Sequence, residues 1–240
     1  MAVNNETGAL QPVSESVAAV RAACQDAGRV PFFHCDAVQA LGTVPFDVEK
    51  LGVDSAAFSA HKTGGPRGVG ALFLRRPLQV LVQGGGQENG TRPGTSNTAG
   101  AQAFAKAAER SIAAIDSRHA SARKLERQLM DGLQSIRGAT VLPLSRNAGD
   151  SSYVPNIISM AFPGLAGETM VRLLDEAGVV ISTGAACSGS RKERRVLDSM
   201  GTDPELSLCA VRISTGRETS GNDIQAFLEH AELAYKKFKV

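Results

Sequence analysis

The sequence predicts an α/β fold, in which β-strands alternate with helices and pack in layers around a core. Three short β-prone runs, at 30–35, 56–60 and 69–74, alternate with helical patterns and with turns rich in Gly and Pro. The chain has 240 residues, of which 42% are hydrophobic, enough for one large domain or two modest ones. Functional side chains of such sheets gather beyond the strand ends, so the residues that follow these runs are the first candidates for a site.

Two helices are predicted from the spacing of apolar residues in the first 140 positions. Residues 14–27 have helical periodicity and end near Gly28. A Gly-rich loop then leads into an Ala-rich region over about 98–136, which is predicted to be helical throughout. The apolar stripe of this second helix repeats every four residues, at Leu125, Leu129 and Leu133.

The second half of the chain predicts a smaller unit that mixes helices and strands. Polar residues at 145–153 are predicted to form a loop. The elements predicted after it are a strand at 156–162, a helix at 167–177, strands at 179–182 and 210–215, and a helix at 222–236. We place a domain boundary within the long helix, which gives domains of 1–116 and 117–240.

Composition and charge exclude several classes of protein. The net charge of +2 is too small for a protein that binds nucleic acid by bulk electrostatics, and the absence of Trp argues against a base-stacking surface. No apolar run approaches the roughly 18 residues that a membrane-spanning helix needs. The N-terminus has no basic segment followed by an apolar one, so we expect no signal peptide.

The four cysteines are far apart in the sequence and form no CxxC pair. This spacing argues against a metal site and against a disulfide framework. We therefore expect reduced thiols in a cytoplasmic protein. The four are Cys24, Cys35, Cys187 and Cys209.

Lys62 lies at the end of a predicted strand, after His61, and precedes a Gly-rich turn. A lysine at a strand end is usually a solvated surface residue. Here the glycines between 64 and 70 let the backbone approach a ligand closely, and Ser59 and His61 add groups that can contact a phosphate. A lysine in such surroundings can form a Schiff base with a carbonyl cofactor. The turn lacks the Gly-Lys-Ser/Thr of a phosphate-binding P-loop, which excludes that motif.

Asp36 ends the first predicted strand, 26 residues before Lys62. One interpretation is a helix N-cap, which Asp at a strand-to-helix junction often is. The other is an anionic partner for a pyridinium nitrogen, which keeps that ring protonated and electron-withdrawing. Considered alone, Asp36 is better explained as a helix N-cap. Considered together with Lys62, it is better explained as the partner of a cofactor's pyridinium nitrogen.

Seven segments resemble those of the cysteine desulfurases, pyridoxal-phosphate enzymes of the class V aminotransferase group. The resemblance runs in order through essentially the whole chain, and several of its motifs are individually specific. The segments are Val-Asn-Asn-Glu-Thr-Gly (3–8), His-Cys-Asp-Ala-Val-Gln (34–39), the run from Ser59 to Leu72, the Gly-rich loop 84–95, Pro-Asn-Ile (155–157), Ser-Thr-Gly-Ala-Ala-Cys (182–187) and Val-Arg-Ile-Ser-Thr-Gly-Arg (211–217).

This resemblance implies a PLP-dependent transferase fold of type I that binds pyridoxal 5'-phosphate (PLP). Residues 1–116 would be the C-terminal portion of the large cofactor domain, and 117–240 a smaller α+β C-terminal domain. Lys62 would bond the cofactor covalently and shuttle the α-proton of the substrate. Asp36 would pair with the pyridine nitrogen.

The resemblance also implies roles for five further residues around the cofactor. Asn5 would hydrogen-bond the ring hydroxyl and contact the substrate, and Gln39 would lie near the same ring oxygen. Ser59 and His61 would bind the phosphate. Thr95 would reach the phosphate of the neighbouring subunit's cofactor, so the family's site implies a homodimer.

Arg212 and Cys187 would act on the substrate. The resemblance implies that the Arg212 guanidinium clamps the substrate carboxylate, which suits its planar fork; otherwise Arg212 is an exposed strand charge. Cys187 would accept sulfur as a persulfide and leave alanine, whereas a cysteine in a small-residue loop is by default an inert thiol. Basic residues at 191–195 would favour its thiolate. We interpret the other cysteines as structural.

The sequence departs from the family pattern in two ways. Thr183, Ala185, Asn89 and Pro93 replace residues common in the relatives, which bears on the rate and on the sulfur acceptor. Met1 also falls in the middle of the family's cofactor domain, so we expect that strands, a phosphate-binding helix N-terminus and the ring-stacking histidine are missing. Unpaired strand edges would then be exposed.

The function predicted from the sequence is a cysteine desulfurase. It would take sulfur from L-cysteine and pass it to an iron–sulfur scaffold or another acceptor protein. One alternative is another class V enzyme, a selenocysteine lyase or an aminotransferase. The other is a truncated, non-catalytic remnant that dimerises or binds partners.

Overall fold

A computed structural model describes residues 1–25, 28, 30–82, 84–184 and 195–238. These residues form two compact units, the first of Met1–Val3 and Gln11–Asp116, the second of Asn4–Leu10 and Ser117–Val240. The sequence assigned residues 4–10 to the first predicted domain, whereas the structure groups them with the second unit. No helix among the described residues is long and apolar enough to cross a lipid bilayer.

The first unit contains a three-stranded mixed sheet and its flanking helices. Its strands lie in the order β1-β2-β3, with β1 and β2 parallel and β2 and β3 antiparallel. The elements are α1 (Val13–Ala23), β1 (His34–Asp36), α2 (Val48–Leu51), β2 (Ser55–Ser59), a 3-10 turn (Ala60–Lys62), β3 (Gly70–Leu74), a second 3-10 turn (Gln87–Gly90) and α3 (Thr98–Ala113).

The second unit contains a three-stranded antiparallel sheet covered by helices. Its strand order is β4-β5-β6. All five residues of β5 are buried. The elements are α4 (Ile115–Leu133), β4 (Thr140–Leu142), β5 (Ile157–Ala161), α5 (Gly167–Glu176), α6 (Arg195–Ser199), α7 (Pro204–Leu208), β6 (Ala210–Ser214) and α8 (Gly221–Phe238).

The core of the second unit joins α4, α5 and α8 to one side of the sheet. Burying apolar side chains of this size is the main favourable contribution to folding, roughly 1.5–3 kcal/mol for each. Leu129 and Leu133, which the sequence placed on the apolar stripe, are buried, and Leu125 packs partly buried beside them. The predicted stripe is confirmed. Further members of the cluster include Ile158, Met160, Phe162, Met170, Leu174 and Phe227.

Three predicted elements differ from the structure. The first strand begins at His34 instead of residue 30, since Pro31 has no N–H and Phe33 N donates to the Asp54 side chain at 2.9 Å instead of to a neighbouring strand. The predicted helix over 98–136 is two helices that part at Ala114. The predicted strand at 179–182 is wrong: only Ser182 makes a β-bridge, to Arg212, and Val180 is exposed.

The remaining predicted strands and helices are confirmed, with boundaries that shift by one or two residues at most of their ends. The first helix, predicted over 14–27, is α1 and ends four residues earlier, at Ala23. Strands β2, β3, β5 and β6 and helices α5 and α8 all occur where the sequence predicted them. The mixed α/β class is confirmed as well. Four short elements that the sequence did not predict are α2, β4, α6 and α7.

Candidate active site

Asp36 and Ser59 end two neighbouring parallel strands at the same edge of the first unit's sheet. Asp36 is the last residue of β1 and pairs in register with Ala57 of β2, two residues before Ser59. The 3-10 turn Ala60–Lys62 follows directly, so Lys62 leaves the sheet at this edge. Four predicted residues therefore lie at or just beyond the carboxyl ends of adjacent strands, where ligands of α/β sheets bind: Asp36, Ser59, His61 and Lys62.

Hydrogen bonds around Ala60 fix the backbone of the Lys62 turn. The Ala60 carbonyl accepts from Gly65 N at 2.8 Å and from Thr63 Oγ1 at 3.0 Å. The buried Ser111 of α3 donates from Oγ to the Thr63 carbonyl at 2.9 Å. A Cβ at Gly65 would lie 3.0 Å from the Ala60 carbonyl oxygen, so glycine is the residue that fits there. The turn is held firmly while the side chain of Lys62 remains exposed.

Ser59 and His61 are hydrogen-bonded to each other. Ser59 Oγ and His61 Nδ1 lie 2.7 Å apart. Ser59 lies three residues before Lys62 and His61 directly before it, and the imidazole is exposed. This bond orients the ring and leaves its Nε2 for another partner. A hydroxyl and an imidazole side by side are groups that can donate to a phosphate.

Asp36 caps the turn that follows β1. Its Oδ1 accepts a hydrogen bond of 2.9 Å from Val38 N. No helix begins here, so Asp36 caps a turn and not the helix that the sequence interpretation allowed. The other carboxylate oxygen has no donor among the residues that the structure describes. The cap orients an exposed carboxylate, so the two interpretations of Asp36 are compatible.

Gln39 and Thr95 lie outside this hydrogen-bonded group. Gln39 is half-buried in the turn after β1, and Thr95 is exposed on the loop before α3. The Thr95 carbonyl accepts from Arg92 Nη1 at 3.4 Å, and no hydrogen bond in the described ranges joins Thr95 to Lys62. The same loop holds Glu88 and Asn89 at φ of 50° and 54°, a conformation that costs energy for residues other than glycine.

Asn5 and Arg212 meet in the second unit. Nη1 of Arg212, on β6, donates to the Asn5 carbonyl at 3.0 Å and to the Gly184 carbonyl at 3.3 Å. The alternative interpretation of Arg212 as an exposed strand charge is wrong, because the residue is only partly accessible. The contact uses the backbone of Asn5, so the Asn5 side chain remains available.

The Arg212 guanidinium has unused hydrogen-bonding capacity in a desolvated setting. Its Nε is buried without a hydrogen-bond partner among the described residues. Burial lowers the pKa of Arg212, and the nearby charge of Glu6 opposes that shift. An arginine normally stays charged and satisfied. Nη1 is engaged and Nη2 makes no hydrogen bond to the described residues, so Nη2 is the nitrogen that can meet an incoming carboxylate.

The segment that leads to Cys187 is paired to Arg212. Arg212 N donates to the Ser182 carbonyl at 2.6 Å, Ser182 N donates back at 3.3 Å, and Gly184 N bonds Ser182 Oγ at 3.0 Å. Cys187 itself, with the basic residues predicted to favour its thiolate, lies outside the described residues, except that the backbone of Arg195 begins α6.

The three other cysteines lack the features of a reactive thiol. Cys35 and Cys209 are buried, and Cys24 is partly buried. Burial raises the pKa of Cys35, although the N-terminal charge opposes this and Asp36 adds to it. A thiol that resists ionisation is a poor nucleophile, which supports the structural interpretation of Cys35.

Sequence reasoning missed two buried charged residues beside the Asn5 segment. Glu126 of α4 and Arg146 of the predicted polar loop have side chains with 0% exposure and form an ion pair at 2.8 Å. The signal that could have drawn attention to them is the i,i+3 spacing of Arg123 and Glu126, which also pair, at 2.7 Å. Nothing in the loop 145–153 marked Arg146 as buried.

A groove of about 1090 Å³ lies elsewhere in the first unit, between β3, the loop before α3 and α3 itself. Phe58, Leu72 and Phe104 line it, together with polar residues of the loop such as Arg92 and Asn97. Neither Asp36 nor Lys62 lines this groove, so it is distinct from the edge of the sheet described above.

Comparison with known proteins gives one family and one fold. A family model described as aminotransferase class-V matches residues 1–227. A cysteine desulfurase of Sinorhizobium fredii (strain NBRC 101917 / NGR234) is 36% identical over 245 aligned residues, which cover 100% of this chain and 60% of that protein. The cysteine desulfurase IscS of Methanosarcina thermophila is 34% identical, over 95% of this chain and 55% of its own length.

Solved structures agree with the fold. A NifS-like protein, 36% identical, superposes with a TM-score of 0.84 over 97% of this chain and 59% of its own. The NifS-like protein from Rickettsia africae ESF-5, 27% identical, gives a TM-score of 0.83 over 98% and 60%. The chain thus spans about three fifths of the length of the relatives it matches.

Proposed function

We propose, from the premise that the chain belongs to the aminotransferase class-V family, that it carries the cofactor, substrate and sulfur-transfer residues of a PLP-dependent cysteine desulfurase. Its fold would be part of the type I large domain, at 1–116, followed by the smaller domain at 117–240. The desulfurase relatives, at 34–36% identity, support this function over related class V activities.

The observation that carries the proposal is the grouping of Asp36, Ser59, His61 and Lys62 beyond two adjacent parallel strands. These residues fit PLP by their chemistry. Ser59 and His61 would hold the phosphate, Lys62 would hold the aldehyde carbon through its amine, and the oriented carboxylate of Asp36 would keep the pyridine nitrogen protonated. PLP, when bound, withdraws electrons from the substrate's α-carbon.

Each residue then has a defined task. Lys62, fixed in its backbone but exposed in its side chain, would move the α-proton of the substrate. Arg212 would bind the substrate carboxylate with Nη2, while Nη1 keeps its bond to Asn5. The thiolate of Cys187 would attack the substrate's sulfur. An S–S bond forms, the substrate's C–S bond breaks with its electron pair passing to carbon, and protonation there yields alanine and a Cys187 persulfide.

The partners of the protein follow from the same proposal. Thr95 would serve the cofactor of a second subunit in a homodimer, and the persulfide would pass to an acceptor protein, such as an iron–sulfur scaffold. The catalytic thiol must be reduced in order to attack sulfur, and thiols stay reduced in the cytoplasm, which points to that compartment.

Covalent trapping tests the cofactor half of the proposal. The chain would be incubated with PLP, reduced with borohydride and mapped by mass spectrometry. We expect one pyridoxyl adduct, on Lys62, that disappears in K62A and persists in K106A, a control at an exposed lysine of α3. A chain that forms no adduct on Lys62 contradicts the proposal, and a stable dimer without adduct would select the non-catalytic alternative.

Persulfide mapping tests the sulfur-transfer half. After addition of L-cysteine to the PLP-loaded chain, we expect a persulfide on Cys187 and release of alanine. Both should be lost in C187A and kept in C24A. Turnover of cysteine that survives C187A would favour a class V enzyme without a catalytic thiol.

A further inference from the structure

Glu126 and Arg146 form a buried charged cluster that the proposed function does not use. Glu126 accepts from Arg146 Nη2 at 2.8 Å through Oε1, and from Arg123 Nη1 at 2.7 Å through Oε2. Gly149 N also donates to Oε2, at 3.2 Å. Burial lowers the pKa of Arg146, and the bond to Glu126 opposes that shift. Two arginines around one fully buried carboxylate are costly to desolvate, so the cluster calls for an explanation.

Arg146 holds the backbone of the Asn4–Leu10 segment against the start of β5. Its Nη1 donates to the Thr7 carbonyl at 2.7 Å and to the Ile157 carbonyl at 2.8 Å. Its Nη2 donates to the Val154 carbonyl at 3.0 Å. The approach is close, because a Cβ at Gly8 would lie 2.5 Å from the Ile157 carbonyl oxygen. One guanidinium thus joins three carbonyls from two separate stretches of chain.

The turn from Asn4 to Thr7 connects this clamp to Arg212. Oδ1 of Asn4 accepts from Glu6 N and Thr7 N, both at 2.9 Å, and from Thr7 Oγ1 at 3.2 Å. These bonds make the turn a compact unit, so fixing the Thr7 carbonyl also fixes the Asn5 carbonyl. The Asn5 carbonyl in turn accepts from Arg212 Nη1.

We propose that Arg146 is a positioning residue for Arg212: through Thr7 and Asn5 it sets the orientation in which the Arg212 guanidinium receives a carboxylate. The inference rests on the proposed function for the identity of that carboxylate, the one of L-cysteine. Glu126 keeps Arg146 in place and compensates its charge.

Hydrogen exchange tests the clamp without any need for activity. R146K keeps the positive charge but cannot reach three carbonyls with a planar fork. We expect the amides of Glu6, Thr7 and Gly8 to exchange about tenfold faster or more in R146K, with β5 and α8 unchanged. R137K, at an exposed arginine of the same unit, should exchange like the wild type. Unchanged exchange at residues 6–8 in R146K would overturn the inference.

Substrate affinity tests the connection to Arg212. In R146K we expect the KM for L-cysteine, or its Kd in a calorimetric titration of the PLP-loaded chain, to rise about tenfold with kcat within about threefold. Equal losses in kcat and affinity, or an unchanged affinity despite faster exchange at 6–8, would show that Arg146 does not act on Arg212. Failure of the proposed function is distinguishable, because it would appear in the wild type as the absence of a Lys62 adduct.

A double variant separates the carbonyl bonds of Arg146 from its charge. R146M leaves Glu126 with one partner, whereas R146M/E126Q removes both buried charges and keeps an acceptor for Arg123. Because the carbonyls of Thr7, Val154 and Ile157 lose the same donor in both variants, we expect residues 6–8 to exchange fast in both. Recovery of slow exchange in the double variant would show that charge compensation alone holds the segment, and it would overturn the inference.

Discussion

Arg212 and Asn5 are 207 residues apart in the sequence, and Arg212 Nη1 donates a hydrogen bond of 3.0 Å to the Asn5 carbonyl. The bond occupies one nitrogen of the guanidinium and leaves Nη2 without a hydrogen bond in the described part of the chain. One part of this side chain is therefore held by the protein, and another part can bind a ligand.

The first prediction concerns this division. In R212K a single ammonium group replaces the planar guanidinium. It cannot donate to the Asn5 carbonyl and at the same time form a bidentate pair with a carboxylate. We expect the KM for L-cysteine to rise at least about tenfold, since charge-assisted bidentate bonds are worth more than about 1.4 kcal/mol. Steady-state kinetics measure this. A KM that matches the wild type in R212K would refute the assigned role.

The second prediction separates the two interpretations of Asp36. D36N can still cap Val38 through its amide oxygen but cannot act as an anion. We expect PLP to bind more weakly to D36N, measured by absorbance titration, because the neutral amide no longer stabilises a protonated ring. D47N is the matched control, since Asp47 also caps a turn of the first unit, with a bond of 2.9 Å from Glu49 N. If D36N and D47N bind PLP equally well, Asp36 is only a cap.

The third prediction concerns the buried cluster. E126M leaves two arginines in the second unit without their shared counter-charge, and breaking a buried pair costs about 3–5 kcal/mol. Urea denaturation should reveal a loss of that size. E232Q is the control, because Glu232 pairs with the exposed Lys236 at 2.6 Å and a surface pair contributes about 0–1 kcal/mol. Similar losses in the two variants would contradict the assigned burial of Glu126.

The fourth prediction concerns pH. Backbone and side-chain hydrogen bonds from Ser220, the first of 2.8 Å, lower the pKa of Asp223 at the start of α8. A carboxyl with a lowered folded-state pKa stabilises the fold above its unfolded pKa of about 3.9, and this contribution disappears as the pH falls through the folded value. The stability difference between wild type and D223N should therefore be present at neutral pH and vanish in strong acid.

Denaturation at a series of pH values checks this, with S220A as a second variant. Because S220A removes the Oγ donor, it should reduce the pH dependence without changing Asp223 itself. A difference between wild type and D223N that grows toward acid would have the wrong sign for this explanation.

The sequence predicted those parts of the site that depend on local pattern. Asp36 and Lys62 could be located because each lies at the end of a short apolar run. Such a run and the glycines beside it predict where a strand ends, and this prediction needs no knowledge of distant contacts. The break at Ala114 could not be predicted in this way, since neither Gly nor Pro marks it within an Ala-rich pattern.

The burial of Arg146 and its hydrogen bonds could not be predicted from local sequence pattern. Its partners lie 8, 11, 20 and 139 residues away, so no window of sequence contains them together. Its neighbours are polar, which predicts an exposed loop. The bonds of Arg212 to Asn5 and of Ser182 to Arg212 are equally non-local. Burial of charge is decided by tertiary contacts, and those contacts are what the structure adds.

The seven residues Asn4–Leu10 belong to the second unit although the rest of that unit begins at Ser117. A recombinant fragment that begins at Ser117 would lack the peptide whose Thr7 carbonyl Arg146 binds. Anyone dividing the protein for crystallisation or for fusion to another enzyme would need to supply that heptapeptide, by circular permutation or as an added synthetic peptide.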